Sequence, residues 1–370
     1  MKKKFLKNNQ EQSFFNSTLF NAKTRRVFLS TLLAGSLLFI SSISEKINAG
    51  SFSENHNYQM KNDSVKHYSS FKPGEKWYDT QGKIINAHGG GILHYNKTYY
   101  WFGETRGKSA SQGVSVYSSK DLYNWKNEGL ALAHEADSSS DITTGSIIER
   151  PKVIYNKTTK QFVMWFHLEL KGKGYSAARA GVAVSKTPVG PYKFLKSFRP
   201  NGNMSRDMTL YVDDKGTAYQ IYSSRENYDL RIVELTRDYL SPTTKDSLIS
   251  SDHREAPAIF QHDKNYYLVT SACTGWAPNE ANLYVSKSLL GNWQDTGNPM
   301  IGKNANITFY AQSACILRVV GKKDAFIFMA DKWNPKDLTD SRYIWLPVKF
   351  KNGIPYIEWK DEWSLSFFDK

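Results

Sequence analysis

The hydrophobic and polar positions of this 370-residue chain recur in a regular order from about Trp77 onward. Five times, a short polar turn is followed by a run of aromatic and β-branched residues, which is the pattern of a β-hairpin. These five hairpin patterns occupy residues 94–101, 155–162, 212–219, 261–267 and 321–326. Their starts lie 61, 57, 49 and 60 residues apart, so the chain contains a loose internal repeat.

Three of the hairpin patterns are followed by a second motif, in which an apolar strand ends in a Ser-Lys turn and then an aromatic residue. This motif occupies residues 116–125, 184–192 and 285–293. Repeats of about 50–60 residues with about four strands each are typical of a β-propeller. The sequence therefore predicts an all-β fold, a five-bladed β-propeller over residues 71–370. A β-sandwich is the alternative, but it does not require this recurrence.

Composition agrees with a β fold, because aromatic residues make up 14% of the chain. The net charge of +14 is uneven along the sequence. Residues 1–49 contain eight Lys/Arg and two Glu, which contribute +6, so the remainder carries 41 − 33 = +8. That remainder has no Lys/Arg-rich run, and we therefore expect no nucleic-acid partner.

The N-terminal 49 residues have the features of an export signal. Arg25 and Arg26 precede an apolar run at residues 32–40, and Ala49 offers a small residue for cleavage. The arrangement resembles a bacterial twin-arginine signal and predicts export to the periplasm or the outside. With about 17 apolar or small residues, it is short for a membrane anchor, which needs about 20. Residues 50–70 are polar and aperiodic, and we expect a disordered lead-in.

Two cysteines, Cys273 and Cys315, follow the signal. An oxidising compartment would permit a disulfide between them, and two buried thiols are the alternative. The sequence leaves both readings open.

Four acidic residues lie at comparable places around the predicted inner strands: Glu104, Glu149, Asp207 and Glu255. Each alone would be read as a surface charge or a structural cap. Inner strands of a propeller converge on its axis, so the four residues are expected to share one pocket. Crowded carboxylates raise one another's pKa, and a raised pKa allows a carboxyl group to act as a general acid near neutral pH.

Several motifs extend this pattern. They lie at residues 88–91, 100–104, 149–153, 206–210, 254–257, 274–276, 330–333 and 341–347. In these motifs the chain resembles glycoside hydrolase family 43, and more closely its exo-β-1,3-galactanase-like branch, over about residues 75–368. The resemblance implies a five-bladed propeller that hydrolyses β-1,3-galactan, with a polysaccharide or oligosaccharide as its partner. We expect a monomer.

The resemblance also implies the roles of the catalytic residues. Glu255 matches the general acid that protonates the glycosidic oxygen, and Asp207 matches the aspartate that tunes and orients this acid. Most of the family has an aspartate general base at the start of the first blade, but residues 84–91 contain no acid here. In the galactanase-like branch a glutamine replaces it, and Gln312 matches that glutamine. An amide that bonds a neighbouring strand is the alternative for Gln312. Inversion by one acid and one positioned water is implied.

Four further residues match positions that bind the sugar. Glu104 and Glu149 match carboxylates that hold sugar hydroxyls. Tyr175 and Trp276 match residues that line the sugar subsite, where Trp276 would stack on the apolar face of a galactose ring.

The sequence predicts no metal and no cofactor. Its eight histidines lack metal-ligand spacing, and no glycine-rich phosphate loop is present. We expect residues 89–91, three consecutive glycines, to permit tight packing near the axis. Some family members hold calcium in the axial channel, but nothing in the sequence requires it.

Two other functions remain open. One is an α-L-arabinofuranosidase or β-xylosidase of the same fold. The other is a catalytically silent sugar-binding propeller, against which the presence of both Glu255 and Asp207 argues, because a lectin needs no tuned proton donor.

Overall fold

The computed structural model describes residues 67–107 and 111–369. This part of the chain is built from β-strands joined by turns, with four short 3-10 helices at Pro200–Gly202, Ala305–Tyr310, Leu338–Asp340 and Leu365–Phe368. The strands are β1 His88–Tyr95, β2 Thr98–Arg106, β3 Ser111–Ser119, β4 Lys126–Leu132, β5 Ile147–Asn156, β6 Gln161–Glu169, β7 Arg179–Ser185, β8 Lys193–Phe198, β9 Met208–Val212, β10 Ala218–Ser224, β11 Asp229–Leu235, β12 Pro242–Ser250, β13 Arg254–His262, β14 Asn265–Ala272, β15 Asn282–Ser286, β16 Gln294–Asp295, β17 Met300–Ile301, β18 Gln312–Arg318, β19 Phe326–Lys332, β20 Arg342–Lys351 and β21 Ile354–Glu358.

The strands form five sheets, each of which is one blade. Blades 1 to 4 are the antiparallel sheets β1–β4, β5–β8, β9–β12 and β13–β16. Blade 5 is β18–β21, with β17 added in parallel on β21. The first strands of the blades, β1, β5, β9, β13 and β18, contact one another in a closed ring around the axis. The predicted all-β, five-bladed propeller is therefore confirmed, and the sandwich alternative is wrong.

Both repeated sequence motifs correspond to turns at fixed places in the blades. The hairpin motifs join the first and second strands, and the Ser-Lys motifs join the third and fourth strands. In blade 1 the hairpin turn is Asn96-Lys97, and both residues have positive φ, of 47° and 58°. A two-residue loop with two positive φ values is the turn that fits the twist of paired strands.

Four of the five inner strands have a β-bulge close to their first residues, and β9 is the exception. Pairing shifts between Glu149 and Lys152 in β5 and between Glu255 and Ala258 in β13, and β1 and β18 have the same irregularity. The residue after each glutamate, Arg150 or Ala256, has a positive φ, of 52° or 53°. A proline follows in both strands, and proline is tolerated in a central strand at a bulge. Because a bulge re-aims a side chain, the repeated Glu-x-Pro motif turns both glutamates toward the same end of the axis.

The three glycines of β1 lie where neighbouring chain leaves no room for a side chain. A Cβ atom on Gly90 would lie 1.8 Å from the carbonyl oxygen of Phe102. On Gly89 it would lie 2.3 Å from Glu104 Oε1, and on Gly91 it would lie 2.7 Å from Lys152 Cδ. The expected tight packing near the axis is confirmed.

Large aromatic side chains seal the junction between blades 5 and 1. Trp101, Trp125 and Trp345 are almost fully buried there and pack against one another. A buried ring of this size removes 150–250 Å² from water, which stabilises the fold by about 4–6 kcal/mol at 25 cal/mol per Å². Phe71 and Trp363 pair their backbones at this junction, with N–H···O distances of 2.7 and 3.1 Å. This pairing links the beginning of the propeller to its last blade.

The predicted signal at residues 1–49 and most of the predicted lead-in lie outside the described residues, so both stay predictions. The description begins at His67, four residues before the predicted domain start, and the backbone N–H of Tyr68 donates to Asn124 Oδ1 at 2.8 Å. In the described part of the chain, no helix has the length and apolar character needed to cross a membrane.

Both cysteines are free thiols, so the Cys273–Cys315 bridge is not formed.

Candidate active site

One end of the propeller axis opens into a polar pocket of about 260 Å³. Its walls come from the starts of the inner strands, from the ends of β2 and β6, and from the loops beside them. All seven residues predicted for the site line this pocket: Glu104, Glu149, Tyr175, Asp207, Glu255, Trp276 and Gln312. The structure thus brings together residues from all five blades.

Glu255 is the second residue of β13 and is largely buried in the pocket. Asn227 Nδ2 donates to its Oε2 at 3.0 Å, and Gln312 Nε2 donates to its Oε1 at 2.8 Å. Burial and the negative charge of Asp207 together raise the pKa of Glu255 to about 7, against the opposing charge of Arg150 and the hydrogen bond from Gln312. A carboxyl group with this pKa holds its proton near neutral pH, as a general acid must.

Asp207 stands directly before β9 and is oriented by Arg150, whose Nη2 lies 2.8 Å from Asp207 Oδ2. The Arg150 side chain also donates to the backbone carbonyl of Ser313 at 2.9 Å and to Gln312 Oε1. Asp207 is therefore held as the partner of a buried guanidinium and acts on Glu255 through its charge. This is the tuning geometry that the resemblance implied, and the role itself stays a prediction.

Glu104 and Glu149 share a second buried guanidinium. Arg106 forms an ion pair with Glu104, and its Nη2 donates to Glu149 Oε1 at 2.9 Å. Burial raises the pKa of Glu104, and the charge of Arg106 opposes this. Burial also opposes ionisation of Glu149, but His167 and Arg106 outweigh it and hold the pKa of this carboxyl far below its usual range. Glu149 is thus a permanent hydrogen-bond acceptor.

A buried histidine contacts Glu149 and fixes its charge. His167 lies opposite Glu149 in the β5–β6 register, with Nδ1 3.3 Å from Glu149 Oε2. Its Nε2 lies 2.8 Å from Glu169 Oε1, and Glu169 Oε2 accepts from the backbone N–H of Ala178 at 2.9 Å. Burial lowers the pKa of His167, but the two carboxylates outweigh it and raise the value to about 9. The imidazolium fixes the negative charge of Glu149.

The side-chain amide of Gln312, the first residue of β18, is fixed in one orientation. Its Oε1 accepts from Arg150 and from Trp333 Nε1, the latter at 3.0 Å. Its Nε2 therefore points away from these donors, toward Glu255 and Ser271 Oγ at 2.8 and 3.0 Å. Direct contact with the acid was not predicted. The role of Gln312 in holding the attacking water stays a prediction.

Aromatic side chains form the rim of the pocket. Tyr175 and Trp276 are 46% and 51% exposed, and Tyr175 OH donates to Glu149 Oε1 at 2.9 Å. Trp333 meets Trp276 edge-on with ring centroids 5.8 Å apart. The guanidinium groups of Arg106 and Arg150 lie 5.7 and 5.9 Å from the centre of the Trp333 ring. Flat apolar faces around a polar floor suit a sugar ring.

Several polar atoms of the pocket are buried without a hydrogen-bond partner among the described residues. They are Arg106 Nε, Arg206 Nε and Asn227 Oδ1. Buried polar groups are rarely left unpaired, so such a cluster indicates a ligand. Both donors and acceptors are free, and a hydroxyl group, which donates and accepts, can satisfy either kind.

Ligand atoms of Glu149, His167 and Asp207 lie within 4.8 Å of one another, close enough for a metal ion. Their charges are already neutralised, however, because Arg106 pairs with Glu149 and Arg150 pairs with Asp207. His167 is also held protonated between two glutamates, and a protonated histidine cannot bind a metal. This group of residues fits sugar hydroxyls better than a cation.

Sequence reasoning missed the partners of the predicted residues, namely Arg106, Arg150, His167, Asn227 and Trp333. A signal existed for three of them. Trp333 ends the motif at residues 330–333. Arg106 lies two residues after Glu104 on the same strand, and Arg150 follows Glu149 directly. His167 and Asn227 required the strand register and the loop path, which no local pattern states.

The fold and this pocket define a propeller glycosidase in which a carboxylic acid with a raised pKa faces a set of hydroxyl-binding groups. The chain matches Glycosyl hydrolases family 43 over residues 88–355. The protein belongs to this family.

Solved structures agree with this assignment. A family 43 β-1,3-galactosidase with galactodeoxynojirimycin is 48% identical, with a TM-score of 0.79, over 80% of this chain and 100% of that one. The exo-β-1,3-galactanase of Phanerochaete chrysosporium with galactose is 39% identical, with a TM-score of 0.75, over 80% of this chain and 68% of that one. An exo-β-1,3-galactanase of Clostridium thermocellum is 37% identical, with a TM-score of 0.73, over 79% of this chain and 66% of that one. No curated protein sequence matches the chain.

The geometry predicts how Asp207→Asn changes the pH profile. The acid must be protonated, so activity is lost as the pH rises through the pKa of Glu255, about 7. Removing the negative charge of Asp207 lowers that pKa, and the alkaline limb of kcat/KM should move to lower pH. Asp214→Asn, in the turn at the other end of the same hairpin, is the control and should leave the limb in place. An unmoved limb in Asp207→Asn would make Asp207 a structural residue.

Proposed function

We propose that the protein is an exo-acting glycoside hydrolase that releases galactose from β-1,3-linked galactan. The observation that carries the proposal is the largely buried Glu255, with a pKa of about 7, facing the pocket that Glu104, Glu149 and Trp276 also line. The solved relatives named as β-1,3-galactosidase and exo-β-1,3-galactanase support galactose as the sugar in it.

The reaction follows from the positions of the charged groups. Glu104, Glu149 and the paired arginines hold the hydroxyls of the terminal sugar. Glu255 gives its proton to the glycosidic oxygen as the bond to the anomeric carbon breaks, and Asp207 keeps that proton on Glu255 near neutral pH. A water attacks the anomeric carbon from the opposite face and releases one proton to the solvent, while a proton from the solvent restores Glu255 for the next cycle. We assign the placement of this water to Gln312. The product is galactose plus a chain shorter by one unit.

Replacing the acid tests this function. Glu255→Gln should lower turnover of β-1,3-galactan by about 10²–10⁴-fold, because the proton donor is lost, while the amide preserves the packing. Galactose release is followed by chromatography, and binding of β-1,3-galactotriose by calorimetry. Glu234→Gln, an isosteric change at a half-buried position of β11 outside the pocket, is the matched control. The assignment of Glu255 fails if turnover and binding are both unchanged.

Arabinan and xylan oligosaccharides in the same assay test the arabinofuranosidase and xylosidase alternatives.

Inversion is the expected stereochemical course. A retaining enzyme needs a second carboxylate about 5–5.5 Å from the acid to form a covalent intermediate. Glu104 and Glu149 are engaged by Arg106 instead. Proton NMR in the first minutes of digestion, before mutarotation, should show α-galactose from the β-linked substrate. Early β-galactose would instead indicate retention, with Glu149 as the first candidate nucleophile.

Gln312 could hold the attacking water, and it also donates a hydrogen bond to Glu255. The variant Gln312→Ala distinguishes these two roles. If Gln312 holds the water, its loss should lower kcat and leave the alkaline limb of the pH–rate profile in place. Loss of the hydrogen bond to Glu255 raises the pKa of that acid and moves the alkaline limb upward. Undiminished turnover would show that another group positions the water.

We also propose that the protein is exported through its N-terminal 49 residues. Paired arginines before a short apolar run support this, and an extracellular polysaccharide is a fitting substrate. Arg25→Lys combined with Arg26→Lys should keep the uncleaved protein in the cytoplasm, as detected by fractionation and immunoblotting. Normal processing of the double variant would refute a twin-arginine signal.

A further inference from the structure

A buried lysine lies behind the floor of the pocket, and no step of the proposed reaction uses it. Lys152 lies in β5, two residues after Arg150, and it is only 4% exposed. It does not line the catalytic pocket. It borders a separate cavity of about 550 Å³ around the hairpin turns at the other end of the axis, where Tyr95 and Lys157 also lie. The Lys152 side chain thus lies between the catalytic pocket and this second cavity, which we call the lower cavity.

The ammonium group of Lys152 binds the backbone of two neighbouring blades. Its Nζ donates to the carbonyl of Gly89 at 2.9 Å and lies 3.5 Å from the carbonyl oxygen of Arg150. Gly89 and Arg150 fall inside the bulges of β1 and β5, where the strand pairing skips them, and both have a positive φ, of 57° and 52°. Gly91 leaves room for the lysine, because a Cβ atom there would lie 2.7 Å from Lys152 Cδ. The ammonium therefore ties the bulge of β1 to the bulge of β5.

The same two bulges enclose Glu104. The backbone N–H of Arg150 donates to Glu104 Oε1 at 3.0 Å. Gly89 approaches this oxygen so closely that a Cβ atom on it would lie 2.3 Å away. A shift of either bulge would therefore move the groups that hold the Glu104 carboxylate.

The stability of the fold does not by itself require a lysine at this position. A buried charge is costly, and Lys152 forms no ion pair with any residue that the structure describes. Burial lowers the pKa of its ammonium to about 8, so the group is still largely charged at neutral pH. Methionine, which is unbranched and of similar length, would fill the space without this cost. The charge is therefore better explained by the function of the pocket.

We propose that Lys152 is a positioning residue for Glu104, and that it acts through the backbone of Gly89 and Arg150. The inference rests on the proposed function, because the position of Glu104 matters only if this carboxylate holds a hydroxyl of the substrate. Glu104 would hold that hydroxyl in the bound substrate and in the transition state alike. Loss of Lys152 should therefore raise KM more than it lowers kcat.

The variant Lys152→Met tests this proposal. It should lower kcat/KM for β-1,3-galactan by about 10- to 100-fold, the effect of one lost hydrogen bond from a charged group, with most of the change in KM. Its unfolding midpoint should stay close to that of the unmodified protein, because removal of a buried charge offsets the lost hydrogen bond. A merely structural lysine would instead lower stability and activity together.

Rescue by an added amine separates the charge of Lys152 from its packing. Lys152→Ala removes a group of the size of propylammonium, and the lower cavity gives access to the vacated space. Propylammonium should return KM toward the value of the unmodified protein, whereas propan-1-ol, of similar size but without charge, should not. Lys157→Ala is the matched control, since Lys157 borders the same cavity at an exposed position. It should leave KM unchanged with and without the amine.

An unchanged kcat/KM in Lys152→Met would refute the proposal. A large fall in its unfolding midpoint, together with no rescue of Lys152→Ala by propylammonium, would show that Lys152 only stabilises the fold. Equal rescue by propan-1-ol would show that volume matters and charge does not, which also contradicts the proposal. If the unmodified protein hydrolyses arabinan or xylan instead of galactan, the proposed function fails, and the same comparison on that substrate still tests Lys152.

Discussion

The buried guanidinium of Arg150 is the interaction on which the pocket depends. From blade 2 it contacts Asp207 in blade 3 and both Gln312 and Ser313 in blade 5, while its backbone N–H donates to Glu104 in blade 1. A buried charge without partners is strongly destabilising, so each of these groups must stay in place around it. The same contacts that satisfy Arg150 therefore set the relative positions of the acid's neighbours.

Around this centre, the structure divides similar carboxyl groups between two tasks. Glu149 is surrounded by Arg106 and protonated His167, so it stays ionised and accepts hydrogen bonds. Glu255 has fewer positive neighbours and lies near Asp207, so it retains a proton near neutral pH. Pairs of titratable groups with pKa values pushed apart are a common way to build acid catalysis on one fold. Here the difference arises from which partners each blade supplies.

Membership in family 43 establishes the fold and the type of chemistry, whereas the substrate depends on the loops around the pocket. The Trp276 loop and the segment ending at Tyr310 are joined through Thr308, and this rigid pair extends the pocket on one side. Tyr175, on a separate loop, reaches Glu149 from another side. Loops of different blades therefore border the charged floor, and the Tyr175 loop also contacts it through Glu149.

The sequence by itself determined the blade count, the hairpin turns and the acidic residues that face the axis. These are local or periodic features: a polar turn such as Asn96-Lys97 specifies a hairpin wherever it occurs, and a repeat of 50–60 residues places equivalent residues at equivalent positions. Family resemblance added Gln312 to the predicted pocket.

Only the tertiary structure decided how those residues are held. The positive φ at Arg150, the placement of His167 beneath Glu149 and the orientation of the Gln312 amide toward Glu255 all depend on bulges, register and contacts between blades. Gln312 and Glu255 are 57 residues apart, and their hydrogen bond exists because two inner strands start at the same end of one axis. A pattern along the chain predicts on which face of a strand a side chain lies. It does not predict which residue, distant in the sequence, forms a hydrogen bond or an ion pair with that side chain.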